Sequence, residues 1–163
     1  MDTNVLLVAN QKASQASPRC VAACARRLRD LRDVGVIVLD DGLHILREYR
    51  RNLSSSGQPG VGDSFFKWVL TNQANATRCE QVAITPVGGS QTEFAEFPSD
   101  LRLQLFDPSD RKFVAVARAH PLHPPILNAV DSDWWEYEAV LAEHGITVQQ
   151  LCPEQMPVGA PRQ

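Results

Sequence analysis

No stretch of this chain stays apolar for the roughly 20 residues that a membrane-spanning helix needs, which excludes an integral membrane protein of that kind. It also lacks a phosphate-cradling loop. Gly57, Gly60 and Gly62 lie without the lysine and strand context of Gly-x-x-x-x-Gly-Lys-Ser/Thr, and no Gly-x-Gly-x-x-Gly occurs, so a doubly wound domain for a small phosphorylated ligand has no motif behind it. Basic charge is not in excess: 16 Lys and Arg against 19 Asp and Glu leave a formal net charge of -3 at pH 7. A uniformly basic surface is excluded; a local basic rim is not. Cysteine is scarce, with Cys20, Cys24, Cys79 and Cys152 completing no paired Cys or His motif and His44, His120, His123 and His144 scattered. The expectation is buried or half-buried thiols rather than a zinc site. The chain opens on Met1-Asp2-Thr3 without a secretory leader, so a reduced cytoplasm is the expected compartment. No Ser, Cys or His nucleophile stands with a partner.

What is present is one domain's worth of core: 163 residues, 44% of them hydrophobic. Ser17-Pro18 caps and opens a helix on which Val21, Cys24, Leu28 and Leu31 recur at helical spacing, with arginines on the other faces and Gly35 as the stop. Val36-Ile37-Val38-Leu39 predicts a buried strand turning at Asp40-Asp41-Gly42, and residues 43–53 a second helix. The Ser- and Gly-rich run 54–62 is a loop, after which Asp63 or Ser64 is expected to cap a helix carrying Phe65, Phe66, Val69 and Leu70. Residues 81–84 are a strand candidate, 86–98 a loop and 99–105 a short helix. Asp107-Pro108-Ser109-Asp110 then opens the helix that contains Phe113, Val114, Val116 and Ala117. A strand at 126–130, a helix at 134–144 stopped by Gly145 and a strand at 146–151 complete the order. Strands and helices alternate, which favours a three-layer α/β/α domain with a mainly parallel central sheet over residues 1–152, followed by a loosely ordered tail at 153–163.

Five acids stand at the ends of these elements: Asp2, Glu48, Asp110, Asp131 and Asp133. In open parallel sheets ligands collect beyond the carboxyl ends of the strands, a test that Asp131 and Asp133 meet. Each acid also has a plainer reading. Asp40 and Asp41 suit a turn, Asp107 an N-cap, Asp110 the first turn of a helix, Glu48 an ion pair among Arg47, Arg50 and Arg51, and Asp2 a polar terminus. On local grounds both readings stand.

Asp2-Thr3-Asn4-Val5-Leu6-Leu7 resembles the opening signature of PIN-domain nucleases, in which an Asp near the end of the first strand is followed by Thr or Ser, Asn and apolar residues. Glu48 in Ile45-Leu46-Arg47-Glu48-Tyr49 resembles that family's second acid. Asp110, opening an Ala-rich helix, resembles the third, and Asp131-Ser132-Asp133-Trp134 the fourth. One departure is plain: the family carries a hydrophobic first strand, and only Met1 precedes Asp2 here. Either residues around Val5 to Val8 form that strand and shift Asp2, or the natural start lies upstream.

The resemblance implies a PIN-like fold and an endoribonuclease that cuts phosphodiester bonds of single-stranded or structured RNA, with DNA as a second substrate. Asp2, Glu48, Asp110, Asp131 and Asp133 would cage Mg²⁺ or Mn²⁺, with Asp2, Glu48, Asp110 and Asp133 as the catalytic set and Asn4 orienting a ligand. Arg50, Arg51, Arg111 and Lys112 would hold substrate phosphates. Trp134 and Trp135 offer base stacking, although the spacing of Trp134, Tyr137, Val140 and Leu141 places one of them in the core. The resemblance admits a toxin's role with an antitoxin protein as partner, and a homodimer. The other reading is a catalytically inactive PIN-like module that binds RNA or a protein.

Overall fold

A computed structural model of the chain describes residues 1–156. The first element is a helix, α1 (Thr3–Ala9), not a strand. Val5, Leu6, Val8 and Ala9 are buried at the i, i+1, i+3, i+4 spacing of one helical face, and the Asp2 carboxylate caps the helix by accepting from Asn4 N–H at 2.6 Å. Asp2 is therefore not displaced along a strand. α2 (Pro18–Val34) starts and stops as its sequence requires, with Ser17 Oγ accepting from Cys20 N–H and Gly35 at the end.

The strands are short and pair in parallel. β1 (Ile37–Asp40) runs beside β2 (Cys79–Val82), and β3 (Ile126–Asn128) beside β4 (Val148–Gln150). The expected single central sheet is thus two separate two-stranded parallel sheets, and a mixed α/β architecture is what stands. The second strand sits two residues earlier than its apolar residues suggest: it begins at buried Cys79, paired with Ile37, and Ile84, also buried, lies beyond its end.

Around the strands lie α3 (His44–Asn52), α4 (Val61–Asn72), α5 (Arg111–Ala119), α6 (Ser132–Glu136) and α7 (Glu138–Glu143). α5 packs on both β1 and β3, while α1 packs on α2, α4 and β3. The helix expected over 134–144 is broken at Tyr137, and the one over 99–105 shrinks to a single 3₁₀ turn, Leu101–Leu103. At α4 the cap is not Asp63 or Ser64: Asp63 is the third helical residue and reaches back to the N–H groups of Gly60 at 3.1 Å and Ser54 at 2.8 Å. Asn10, at the end of α1, accepts from Gly62 N–H at 2.7 Å, and any Cβ on Gly62 would collide with the Leu6 carbonyl oxygen. Glycine is what lets α1 and α4 touch.

Cys20 and Cys152 form a disulfide, which corrects the expectation of thiols at those two positions; Cys24 and Cys79 are buried thiols as expected. The bond ties the end of β4 to α2, and Gln155 Oε1 accepts from Ser17 N–H at 3.1 Å. Residues 153–156 are consequently attached to the domain, with a 3₁₀ turn at Pro153–Gln155, rather than part of a loose tail. The rest of that expected tail, 157–163, lies outside the described residues. No helix among the described residues is long and apolar enough to cross a membrane.

Candidate functional site

The carboxyl ends of the strands and the starts of three helical segments bring acids from distant parts of the chain together. Asp2 precedes α1, Asp110 ends a 3₁₀ turn (Pro108–Asp110) leading into α5, and Asp131 follows β3 and caps α6. One carboxylate oxygen from each lies within 4.8 Å of the others. Asp2 and Asp110 are only 4% and 6% exposed, so these charges have little water to screen them.

Two full negative charges at such a distance repel by about 3.5 kcal/mol at an effective dielectric of about 20. Burial first, and this crowding after it, favour the protonated forms. Asp2 and Asp110 titrate as a pair, raised to about 7 and about 9 respectively. Burial is the largest cause for both; the charge of Asp131 adds to it on each, and the charge of Asp2 adds to it on Asp110. The Asn4 N–H and the Trp134 indole pull Asp2 down, and the Lys112 ammonium pulls Asp110 down, but neither reverses the shift. Asp131 is also raised, first by burial, with the Asp133 N–H opposing.

Asp2 and Asp131 are held in place by named partners. Trp134 Nε1, fully buried, donates to Asp2 Oδ2. Asp131 Oδ1 accepts from Asp133 N–H at 2.9 Å. Asn128 grips the Asp131 backbone from both sides, its Nδ2 donating to the carbonyl at 2.8 Å and its Oδ1 accepting from the N–H at 3.2 Å. Asn4 links α1 to β3 by donating to Asn128 Oδ1 at 2.8 Å and accepting from Ala129 N–H at 2.9 Å. Its side chain thus orients the site through the backbone and Asn128.

Glu48 stands beside this group without being one of the three. Thr3 Oγ1 donates to its Oε1 and Lys112 Nζ pairs with its Oε2, and its charge raises Asp2. Asp133 lies in the first turn of α6; its charge raises Asp131, while its carboxylate is outside the mutually close trio. Asp107 caps its turn as expected, accepting from Ser109 N–H at 2.7 Å.

A cleft lined by His44, Arg47, Glu48, Arg51, Gln91, Thr92, Ser109 and Lys112 opens beside Glu48. Of the basic residues expected to hold phosphates, Arg51 and Lys112 line it, whereas Arg50 is exposed on α3 outside this lining. Arg111 is committed to the fold: it pairs with Glu93 at 2.6 Å, donates to the Gln104 carbonyl at 3.1 Å and lies 4.9 Å over the Phe97 ring. Arg47, passed over in the sequence as a neighbour of Glu48, is in the cleft.

Thr3, Asn128 and Trp134 carry roles that the sequence reading did not assign. Asn128 was findable as the lone polar residue in Ile126-Leu127-Asn128-Ala129-Val130. Trp134 is the tryptophan that belongs to the core, as helical spacing allowed, and it serves the site from there. Cys20, Cys24 and Cys152 also lie within 4.8 Å of one another, but the disulfide consumes two of the three sulfurs.

Three carboxylates fit a hard divalent cation. They are all oxygen donors, they are crowded, two of them are buried, and an ion such as Mg²⁺ or Mn²⁺ would offset the burial and repulsion that disfavour their charged forms. The chain matches no protein-family model, no curated protein and no solved structure.

Proposed function

We propose that this chain is a Mg²⁺- or Mn²⁺-dependent nuclease of the PIN-like kind, hydrolysing phosphodiester bonds, with RNA as the favoured substrate. The observation that carries the reading is the convergence of Asp2, Asp110 and Asp131 from three separate segments into one group, with Asp2 and Asp110 buried and Asp131 half-buried. Convergence of like charges is costly in itself, and a structural network would pair them with cations instead.

In this reading Asp2, Asp110 and Asp131 hold the ion, and Trp134, Asn4 and Asn128 fix the orientation of Asp2 and Asp131. A bound divalent ion supplies an activated water and neutralises charge on the phosphate. Glu48, held by Thr3 and Lys112, faces the cleft and adds negative charge next to Asp2. Lys112, Arg47 and Arg51 give the same cleft cationic groups for a substrate phosphate, and Ser109, at its wall, adjoins Asp110. The arrangement puts the phosphate grip next to the acids without a uniformly basic surface, in keeping with the net charge of -3.

The test is incubation of purified protein with mixed single-stranded RNA and DNA oligonucleotides in Mn²⁺, Mg²⁺ or chelator, with Asp110→Asn as the control. Cleavage of RNA that needs the metal and disappears in Asp110→Asn is expected. Intact oligonucleotides under every metal condition would sink the enzyme reading, and retained binding of RNA in that case would identify a non-cutting module.

A further inference from the structure

α2 turns two cysteines toward the core on successive turns. Cys20 and Cys24 stand four residues apart and are buried together with Leu28 on one face of the helix. Cys152, two residues beyond β4, meets that face. All three side chains are fully buried, and their sulfurs lie within 4.8 Å of one another. Cys20 holds the bond to Cys152, and Cys24 is left as a thiol beside it.

Such a group has two pairings open to it. Cys20 and Cys24 cannot join each other while α2 stays helical, because side chains one turn apart keep their Cβ atoms about 5 to 6 Å apart and a disulfide needs about 3.5 to 4.5 Å. Cys152 is therefore the common partner, bonded to one cysteine and beside the other. Moving the bond needs no net oxidation or reduction. The Cys24 sulfur attacks the Cys152 sulfur, the bond from Cys152 to Cys20 breaks, and the proton that Cys24 gives up ends on the Cys20 thiolate. One disulfide and one thiol stand before and after.

The move has a mechanical reach. Cys24 sits one turn, about 5.4 Å, further along α2 than Cys20, so the new bond draws Cys152 in that direction. Leu151, next to Cys152, donates its N–H to the Asn128 carbonyl at 2.8 Å, and Gln150 Oε1 accepts from Asn128 Nδ2 at 2.7 Å. Asn128 in turn grips the backbone of Asp131. On the other side, Gln155 donates its N–H to the Cys152 carbonyl at 2.9 Å and is itself held at the start of α2 by Ser17. The bridge position thus bears on the end of β4 and, through Asn128, on the segment carrying Asp131.

We propose that the bridge is a two-position thiol–disulfide switch, in which Cys24 takes Cys152 over from Cys20 and the move loosens the hold of Gln150 and Leu151 on Asn128. The position observed is the resting one. Burial pushes the Cys24 thiol up to about 12, so the attacking thiolate is scarce near neutral pH. The bond therefore stays on Cys20 until a small thiol and its disulfide catalyse the exchange.

The experiment equilibrates the full chain, Cys20→Ala and Cys24→Ala in mixed reduced and oxidised glutathione. Free thiols are then alkylated after acid quenching and denaturation and mapped by mass spectrometry, while amide hydrogen exchange is followed at Leu151 and Asp131. In Cys20→Ala, Cys24 and Cys152 should be bonded and Cys79 alone alkylated. Exchange at Leu151 and Asp131 should then be at least about tenfold faster than in Cys24→Ala, which keeps the observed bridge and controls for the lost sulfur. In the parent, about 1 to 10% of chains should be alkylated at Cys20 and not at Cys24. Cys24 and Cys152 of Cys20→Ala found free, or each carrying glutathione, would overturn the proposal. So would a bond between them with exchange as slow as in Cys24→Ala, which would make Cys24 a passive substitute. Should Cys20→Ala fail to fold, the parent decides: alkylation confined to Cys24 and Cys79 in every chain would overturn the switch.

Discussion

Trp134 Nε1 donates its hydrogen bond to Asp2 Oδ2 across 132 residues of sequence, deep in the interior. The same tryptophan packs edge-on against Phe106 and Phe113, so the ring is core and its one polar atom serves the site. Trp134→Phe removes the donor and leaves the Asp2 carboxylate short of a partner. An interior hydrogen bond to a charged group contributes about 1.5 to 3 kcal/mol, and a loss of stability of at least that size is expected. Denaturant unfolding measures it. Asp2 should hold its proton more tightly still, so the Tm rise produced by Mn²⁺ at neutral pH should shrink; an unchanged rise would mean that the indole does not prepare Asp2 for metal.

Removing one member of the crowded trio should help the metal-free fold. Asp110→Asn keeps the shape and removes a group that must take up a proton to fold at pH 8, so in chelator at that pH its Tm should equal or exceed the parent's. Millimolar Mn²⁺ should raise Tm of the parent and leave the variant near its chelator value. A large drop in Tm for Asp110→Asn in chelator would make this acid structural.

Glu48→Gln is expected to behave differently, because Glu48 pairs with Lys112, whose side chain is only 8% exposed. The variant takes the paired carboxylate from a buried ammonium, leaving it the Ser109 carbonyl, and should lose about 1 to 3 kcal/mol of stability in chelator. Equal stability of Glu48→Gln and the parent in urea titrations would show the pair to be without weight.

The metal-free protein should weaken as pH rises. The unfolded chain releases the protons of Asp2 and Asp110 near pH 4, whereas the folded state keeps them up to about 7 and about 9. Between those limits the folded state binds more protons, so stability is greatest at the acid end of the window and is lost as pH rises through the folded values. The Met1 amine works the other way between about 6 and 8, one group against two. A net fall of at least about 1.4 kcal/mol, one pKa unit's worth, is expected between pH 5 and pH 9 in chelator. Metal binding expels these protons, so the Mn²⁺-induced rise in Tm should grow over the same range. A stability curve that is flat or climbs toward pH 9 would refute the proton-holding trio.

Alkylation of the denatured, unreduced protein should modify two cysteines, Cys24 and Cys79, and all four after reduction, as read by mass spectrometry. Closing so long a loop stabilises by about 2 to 5 kcal/mol, so reductant should lower Tm measurably. Four modified cysteines without reduction would place Cys20 and Cys152 in the thiol state that the sequence suggested.

Local signals in the sequence determined most helix positions. Ser17-Pro18 and Gly35 bound α2, and Asp107-Pro108 starts the turn before α5, because caps and first-turn prolines act through neighbouring backbone groups alone. The acids Asp2, Asp110 and Asp131 were visible as candidates, each at the end of an element. Their convergence was not, since it depends on how α1, α5 and β3 stack, and each had an adequate local role as a cap or first-turn residue. Tertiary structure alone separated Asp131 from Asp133, which differ by two positions and point differently at a helix start, and gave Arg111 to Glu93 and Phe97 instead of the cleft. It also overruled the apolar run at Val5 to Val8, which reads equally as strand or helix until Asp2 caps it and α2 and α4 cover one face. Short-range chemistry is written residue by residue, whereas the distance between two carboxylates more than 100 residues apart is set only when the core between them packs.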